Sequence, residues 1–382
     1  MTTEERVQIA IDNWAPRFVA NGVDYSDYQR LARRIERWED WGPEWSTCAA
    51  VHERMAEEAE ASSNYVSAAY HYFHAAITYH FGKFVFVQNP PALREAHEHV
   101  VQTYQRALPY FDFPGERVAI PYEGGATMYS ILRKPRATGR VPIYRARAHP
   151  ARHHHPRPYP GTKAHARPPV VILIPGLDSV KEELHNYGDD FLRRGMAVLA
   201  IDGPGQGEME FEYPMRFDYE VPVKYAIDYL ESRPDVDASR IGLMGVSLGG
   251  YYAPRAAAFE PRVKAVIANA GPYNILENFE RLPLLTREAF VYRSKSANEE
   301  EARTKLASFN LQGVMEKVRC PLLVIMGRLD RLIPPVEAEK MARDGGGEVE
   351  LWMFEDGNHV CNNIIYKHRP QQADWMRSRL RA

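Results

Sequence analysis

The segment Gly245-Val246-Ser247-Leu248-Gly249-Gly250 restricts the fold more than any other part of the chain. It follows the apolar run Ile241 to Met244 and opens a helical stretch, Leu248 to Phe259. A strand that turns directly into a helix brings backbone against backbone. The positions two before and two after the serine must then be small, and glycine holds both. Such a turn lifts the Ser247 hydroxyl above the strand end. Behind it lie the unpaired N–H groups and positive dipole of the helix N-terminus. Ser247 is therefore the candidate nucleophile, on a strand–turn–helix unit.

The rest of the C-terminal part repeats that alternation. Val170 to Ile174, Ala197 to Ile201, Ile241 to Met244, Ala265 to Ala268, Leu322 to Met326 and Val349 to Phe354 are short apolar runs. Helical stretches such as Lys181 to Arg194, Pro222 to Ser232 and Leu248 to Phe259 lie between them. Strands joined by crossover helices predict an α/β fold with a mostly parallel sheet covered on both faces. Two further strands, Arg117 to Pro121 and Thr127 to Lys134, flank Glu123-Gly124-Gly125.

The first ~115 residues read differently. Tyr65 to Phe86 places Tyr65, Ala69, Tyr72, Phe73, Ala76 and Tyr79 at helical spacing. Asn89-Pro90-Pro91 interrupts, and Ala92 to Tyr110 resumes with Leu93, Ala96, Val100, Tyr104 and Leu108 on one face. Trp14, Trp38, Trp41 and Trp45 all precede residue 46. The expectation is a helical cap domain over 1–114 and a catalytic α/β domain over 115–382, divided at Phe113-Pro114-Gly115. Tyr144 to Arg167 is dominated by Arg, His, Pro and Ala and reads as an exposed loop. Its His153-His154-His155 has no carboxylate or Cys nearby to complete a metal site.

Composition narrows the function classes. Forty-eight Lys plus Arg against 50 Asp plus Glu give a net charge of −2, which argues against a nucleic-acid binder acting through bulk positive field. The longest apolar runs fall far short of the ~20 residues of a membrane span. The start, Met1-Thr2-Thr3-Glu4-Glu5-Arg6, has no apolar signal core. The three cysteines, Cys48, Cys320 and Cys361, give no disulfide framework, and a reducing cytoplasm is the expected compartment. The N-terminal aromatics raise the expectation of a homodimer.

A serine nucleophile needs a base, and the base an orienting acid. Leu322 to Met326 ends in Gly327-Arg328-Leu329-Asp330, and Val349 to Phe354 ends in Glu355-Asp356-Gly357-Asn358-His359. Both groups fall just past strand ends, on the edge that carries Ser247. The order Ser247, Asp330, His359 is that of a hydrolytic triad. Asp356 competes with Asp330 but precedes its own Gly and reads as a turn residue. Backbone N–H groups of Leu248 and of Leu177, within Ile174-Pro175-Gly176-Leu177-Asp178-Ser179, are the candidate oxyanion hole. Asp202-Gly203-Pro204-Gly205-Gln206-Gly207 reads as a tight structural turn.

These segments together resemble the α/β-hydrolase superfamily over 115–382. More narrowly, the helical N-terminal part, Ile174 to Glu183 and the Ser247 elbow resemble the 2,6-dihydroxypseudooxynicotine hydrolase group of bacterial nicotine catabolism, to which fungal polyketide-shortening enzymes are similar. The loop at 144–167 departs from that pattern. The resemblance implies hydrolysis of a carbon–carbon bond beside a ketone in an aryl ketone. For 2,6-dihydroxypseudooxynicotine the products are 2,6-dihydroxypyridine and 4-methylaminobutanoate. It implies no metal and no organic cofactor. It also implies a further acidic residue some thirty positions past the serine, with Glu277 the first candidate and Glu280 the second. Tyr65, Tyr70, Tyr72, Tyr79 and Phe81 are available to line a pocket under the helical cap, one or two of them touching substrate. A carboxylesterase or acyl-peptide-type serine hydrolase uses the same residues and stays open. A non-catalytic binding protein on the same fold predicts a broken triad, whereas all three residues are present.

Overall fold

The computed structural model describes residues 2–136 and 167–381. The predicted loop at 144–167, with its three histidines, lies outside the described residues apart from Arg167.

Five helices come first: α1 (Thr3–Asn21), α2 (Tyr25–Arg34), α3 (Trp41–Ala61), α4 (Tyr65–Lys83) and α5 (Pro90–Ala107). A capping box starts α1, with the Glu5 N–H donating to Thr2 Oγ1 and the Thr2 N–H to Glu5 Oε2. The four N-terminal tryptophans are buried inside the chain. Trp14, Trp41 and Trp45 pack with Phe18, Phe81 and Phe84 into one aromatic cluster. Trp14 meets Phe84 edge-on at 5.3 Å between ring centres, and Phe18 meets Phe81 at 4.8 Å. Tyr25, Tyr65 and Tyr70 remain exposed.

The sheet has eight strands: β1 (Gly115–Pro121), β2 (Thr127–Arg133), β3 (Pro169–Ile174), β4 (Ala197–Ile201), β5 (Asp237–Val246), β6 (Val263–Asn269), β7 (Leu322–Gly327) and β8 (Val349–Phe354). Their order is β1-β2-β4-β3-β5-β6-β7-β8. β1 and β2 pair antiparallel, β2 meets β4 antiparallel, and every later pair is parallel. This is the α/β-hydrolase architecture the sequence pattern implies. Helices α6 (His185–Leu192), α7 (Glu220–Glu231), α8 (Leu248–Phe259), α9 (Ile275–Asn278), α10 (Leu284–Arg293), α11 (Glu299–Leu306), α12 (Pro335–Asp344) and α13 (Ile365–Arg379) fill the connections. Strands β3 to β7 read as near-continuous apolar runs because both faces are covered, and Val170, Ile172, Leu243, Val266 and Leu323 are fully buried. The register pairs Ile174 with Gly245, Gly245 with Ala268 and Asn269 with Ile325, so these strands end along one edge. Ligands of open parallel sheets bind at that edge.

One predicted helix divides. Lys181 to Arg194 is a short 3₁₀ turn, Lys181–Leu184, followed by α6. The cause is polar. Lys181, Glu182 and Glu183 are all buried, and each points into fixed partners instead of following one helical face. Lys181 Nζ lies 2.9 Å from Asp202 and 2.9 Å from Glu208. These carboxylates hold the ammonium charged against the cost of its burial. Burial, with Asp202 and Glu208 nearby, pushes the Glu182 carboxyl up to about 7 despite Lys181 at 3.0 Å.

A seam joins the helical region to the sheet. Its apolar part brings Ile131 of β2 and Leu285 of α10 into the tryptophan cluster. Its polar part includes fully buried Lys83, 3.3 Å from Glu210, which also accepts from Arg293 at 2.5 Å.

Candidate active site

Ser247 sits between β5 and α8 with φ +55° and ψ −124°, a backbone conformation that few residues other than glycine adopt. The flanking glycines are required by distance. A Cβ on Gly245 would lie 1.9 Å from the Gly249 carbonyl oxygen, and one on Gly249 would lie 2.3 Å from that of Ile174. The second contact also shows that the chain leaving β3 lies directly on the elbow.

His359 follows β8 and brings Nε2 to 3.0 Å from Ser247 Oγ. Its Nδ1 lies 2.7 Å from Asp330 Oδ2. The other Asp330 oxygen accepts the N–H groups of Leu332 and Ile333 at 2.8 and 2.9 Å, which fixes the carboxylate. With Nδ1–H donating to Asp330, Nε2 is left to accept from the Ser247 hydroxyl. Asp356, the rival acid, is exposed and pairs with Lys367. After His359 the chain turns through Val360 and Cys361, at φ +59° and +53°. Left-handed backbone at two successive non-glycine residues, one of them β-branched, is held strain.

Ser247 and His359 open into a cavity of about 590 Å³, its mouth included, with Asp330 buried behind His359. Leu177 and Leu248, the oxyanion candidates, line it beside Ser247 and His359. Gln206 donates to the carbonyls of Pro175 and Gly176 at 2.7 and 2.9 Å, so the predicted structural turn after β4 braces the Leu177 loop. Ile275, Leu282, Phe290, Leu332 and Ile333 give the cavity an apolar wall.

Three sequence expectations need correction. Neither Glu277 nor Glu280 faces the cavity. α9 is a single turn whose Ile275 and Asn278, with the N-cap Asn274, line the pocket, which turns Glu277 outward to Lys340 and Asn274. Glu280 is exposed and pairs with Arg303 and Arg287. Of the residues of this segment that line the pocket, Asn278 has its side-chain Nδ2 buried with no hydrogen-bond partner. Third, none of Tyr65, Tyr70, Tyr72, Tyr79 and Phe81 lines the cavity. Tyr72 and Tyr79 donate to Glu60 and Glu53 within the helical layer, and Phe81 belongs to the tryptophan cluster.

The helical region reaches the cavity through α1 instead, with Trp14 and Arg17. Sequence reading missed both, and Asp178 as well. The available signal was the adjacency of Asp178 to Leu177 and the placement of Trp14, Arg17, Phe18 and Asn21 at spacings of three and four. Arg17 is held by Asp178 and Glu183. Burial works against its charge, and these two carboxylates more than offset that, keeping the guanidinium well above its ordinary value. Glu183 is correspondingly held well below the usual carboxylate range. Burial opposes this, and Arg17, with His80 at 2.8 Å, outweighs it.

Among the described residues no group of three His, Cys, Asp or Glu side chains is arranged to hold a metal ion. No described helix is long and apolar enough to cross a membrane.

The chain is similar to known proteins in sequence and in fold. The model of the prolyl oligopeptidase family matches residues 189–381. The 2,6-dihydropseudooxynicotine hydrolase of Paenarthrobacter nicotinovorans is 30% identical over 378 residues, 98% of this chain and 94% of that protein. The α/β hydrolase gkaG of Penicillium citrinum is 29% identical over 260 residues, 65% of this chain and 55% of that protein, so the chain spans about half the length of this fungal relative. The crystal structure of the 2,6-dihydroxy-pseudo-oxynicotine hydrolase superposes with a TM-score of 0.81 at 29% identity, covering 96% of each chain.

Proposed function

The chain belongs to the prolyl oligopeptidase family of α/β-hydrolases, and from that premise we propose that it is a serine hydrolase cleaving the carbon–carbon bond beside the ketone of an aryl ketone. The observation that carries the reading is the Ser247–His359–Asp330 chain of hydrogen bonds at the floor of a mostly apolar cavity roofed in part by α1. The kinship over 98% of the chain, helical region included, supports a small ketone over a peptide as the class to test first.

Ser247 attacks the ketone carbon while its proton passes to His359. Asp330 keeps the Nδ1 proton in place and stabilises the imidazolium. The N–H groups of Leu177 and Leu248 receive the developing oxyanion, each worth roughly 3 kcal/mol to the transition state. Collapse of the tetrahedral adduct breaks the bond to the aromatic ring. The ring carbon leaves with the electron pair and takes the proton from His359. Water, activated by His359, then releases the acid from Ser247. The balance is one water, its OH on the acyl carbon and its H on the ring. A ring whose hydroxyl groups allow a keto tautomer accepts that proton most easily. The Asn278 amide donates to an oxygen of the substrate. Among the residues that line the cavity the one carboxylate is Asp178, which Arg17 already neutralises. A neutral acceptor therefore suits this pocket better than a cationic group.

The test is kcat/KM for 2,6-dihydroxypseudooxynicotine, for an aryl ketone analogue lacking its amine and for p-nitrophenyl acetate. Wild type and Ser247→Ala are compared. Ketone cleavage by wild type alone supports the proposal. Rapid ester turnover with no ketone cleavage makes the protein a carboxylesterase.

A further inference from the structure

Arg17 and Asn21 stand one turn apart on α1, and between them they touch both loops that build the reactive centre. Arg17 Nε and Nη2 each donate to a Glu183 oxygen at 2.7 Å, and Nη1 donates to Asp178 at 2.8 Å. Asp178 follows Leu177, whose N–H is the oxyanion candidate. Asn21 Nδ2 donates to the same Glu183 at 2.6 Å. The Asn21 side-chain oxygen accepts from Arg369 Nη2 at 2.8 Å. Arg369 also donates to the Ala20 carbonyl at 3.1 Å and reaches Asn362 Oδ1 at 3.5 Å. Asn362 in turn donates to the carbonyl of His359 at 3.2 Å. A continuous path of side-chain hydrogen bonds thus runs from the loop after β3, through α1, to the peptide of the candidate base.

The chemistry of these groups favours positioning over ligand capture. All three Arg17 nitrogens donate to carboxylates, so its charge is already offset by Asp178 and Glu183 and its side chain is held in place by both. The loop that the path reaches contains the two left-handed residues Val360 and Cys361, a conformation that persists only where its surroundings impose it. Asn21, Glu183, Asn362 and Arg369 are buried, so the bonds are shielded from water.

We propose that α1 is a positioning element of the catalytic centre. Arg17 fixes the oxyanion loop, and Asn21 ties that loop to the His359 turn, so that seating the helical region and assembling the reactive geometry are one event. The inference rests on the serine-hydrolase reading.

The test compares wild type, Arg17→Met and Asn21→Ala at a temperature where circular dichroism shows each fully folded. Two readouts are taken: the rate of Ser247 labelling by a small fluorophosphonate, and kcat and KM for p-nitrophenyl acetate. Misplacing a catalytic group by about 1 Å costs on the order of 100-fold. The expected result is a 10- to 100-fold fall in labelling rate and kcat, with KM within about threefold of wild type. Asn21→Ala removes no charge and serves if Arg17→Met does not fold. Folded variants with wild-type labelling and kcat overturn the inference, since a purely structural role moves melting temperature alone. A wild type that does not label at all overturns the serine reading instead.

Discussion

The sheet edge and the helical region build the same cavity by different means. At the edge, each candidate triad residue stands past a strand end, and its partner comes from another strand end of the same sheet. Ser247 follows β5, Asp330 follows β7 and His359 follows β8. The parallel sheet gathers these strand ends along one edge, and the turns after them bring the three side chains within hydrogen-bond reach. The helical region offers the cavity only Trp14 and Arg17. It acts through partners more than 160 residues away in sequence, Asp178, Glu183 and Arg369. Reactive groups are thus specified locally, whereas their enclosure and stiffness depend on long-range contacts between buried charges.

The comparison is broken most directly at the edge. Ser247→Ala is expected to lower kcat by about 10⁶-fold and Asp330→Asn by about 10⁴-fold, with little change in melting temperature. Steady-state kinetics beside thermal melts check this. A large loss of stability would place these residues in the scaffold.

In the helical region the balance reverses. Trp45→Ala, deep in the aromatic cluster and remote from the cavity lining, should cost about 3–5 kcal/mol of stability by chemical denaturation. At temperatures where it is folded it should retain kcat within a few-fold.

Two titrations separate the regions by the sign of their pH dependence. Folded Glu182 keeps its proton up to about pH 7, whereas in the unfolded chain it is released near 4.5. The folded form binds more protons between those values, so stability falls as pH rises through the window. The effect amounts to at most about 3 kcal/mol. Glu182→Gln should melt higher than wild type at pH 8 and no higher at pH 4.5. In the helical layer His74 behaves oppositely. Burial, with His52 nearby, lowers it from 6.5 to about 4. Its contribution is present above pH 6.5 and is lost as pH falls toward 4. Because the ring is partly exposed, about 1–2 kcal/mol is expected. His74→Phe should flatten that acid limb in melts between pH 4 and 7, and an unchanged limb would assign it elsewhere.

The smallest effect belongs to the pocket's amide. Asn278→Leu should lower kcat/KM for a ketone substrate by about 10-fold, since one hydrogen bond is worth about 1.4 kcal/mol at most in such a setting. Ester turnover should stay near wild type.

Much of the edge was legible because its signals are local. Ala197–Ile201 and Val349–Phe354 run between the very residues that the apolar pattern marks. The Ser247 elbow is dictated by the space two glycines leave. Glu277 and Glu280 were misread because a one-turn helix gives no periodicity from which to tell its pocket face. The division of Lys181 to Arg194 was hidden because Lys181, Glu182 and Glu183 look like the solvated face of a helix. Their partners Asp202, Glu208 and Arg17 lie in other elements. The spacing of Arg17 and Asn21 puts them on one face of α1, but their partners Asp178, Glu183 and Arg369 lie far along the chain, so their place at the site was not legible.

The central claim is that Ser247 is a nucleophile activated by His359. It is tested most directly by mass spectrometry of the protein after exposure to a fluorophosphonate. The account predicts one phosphonyl group on the Ser247 peptide of wild type, and none on that peptide in Ser247→Ala or, over the same minutes, in His359→Ala. An unlabelled wild type, or equal labelling of the His359 variant, would contradict it.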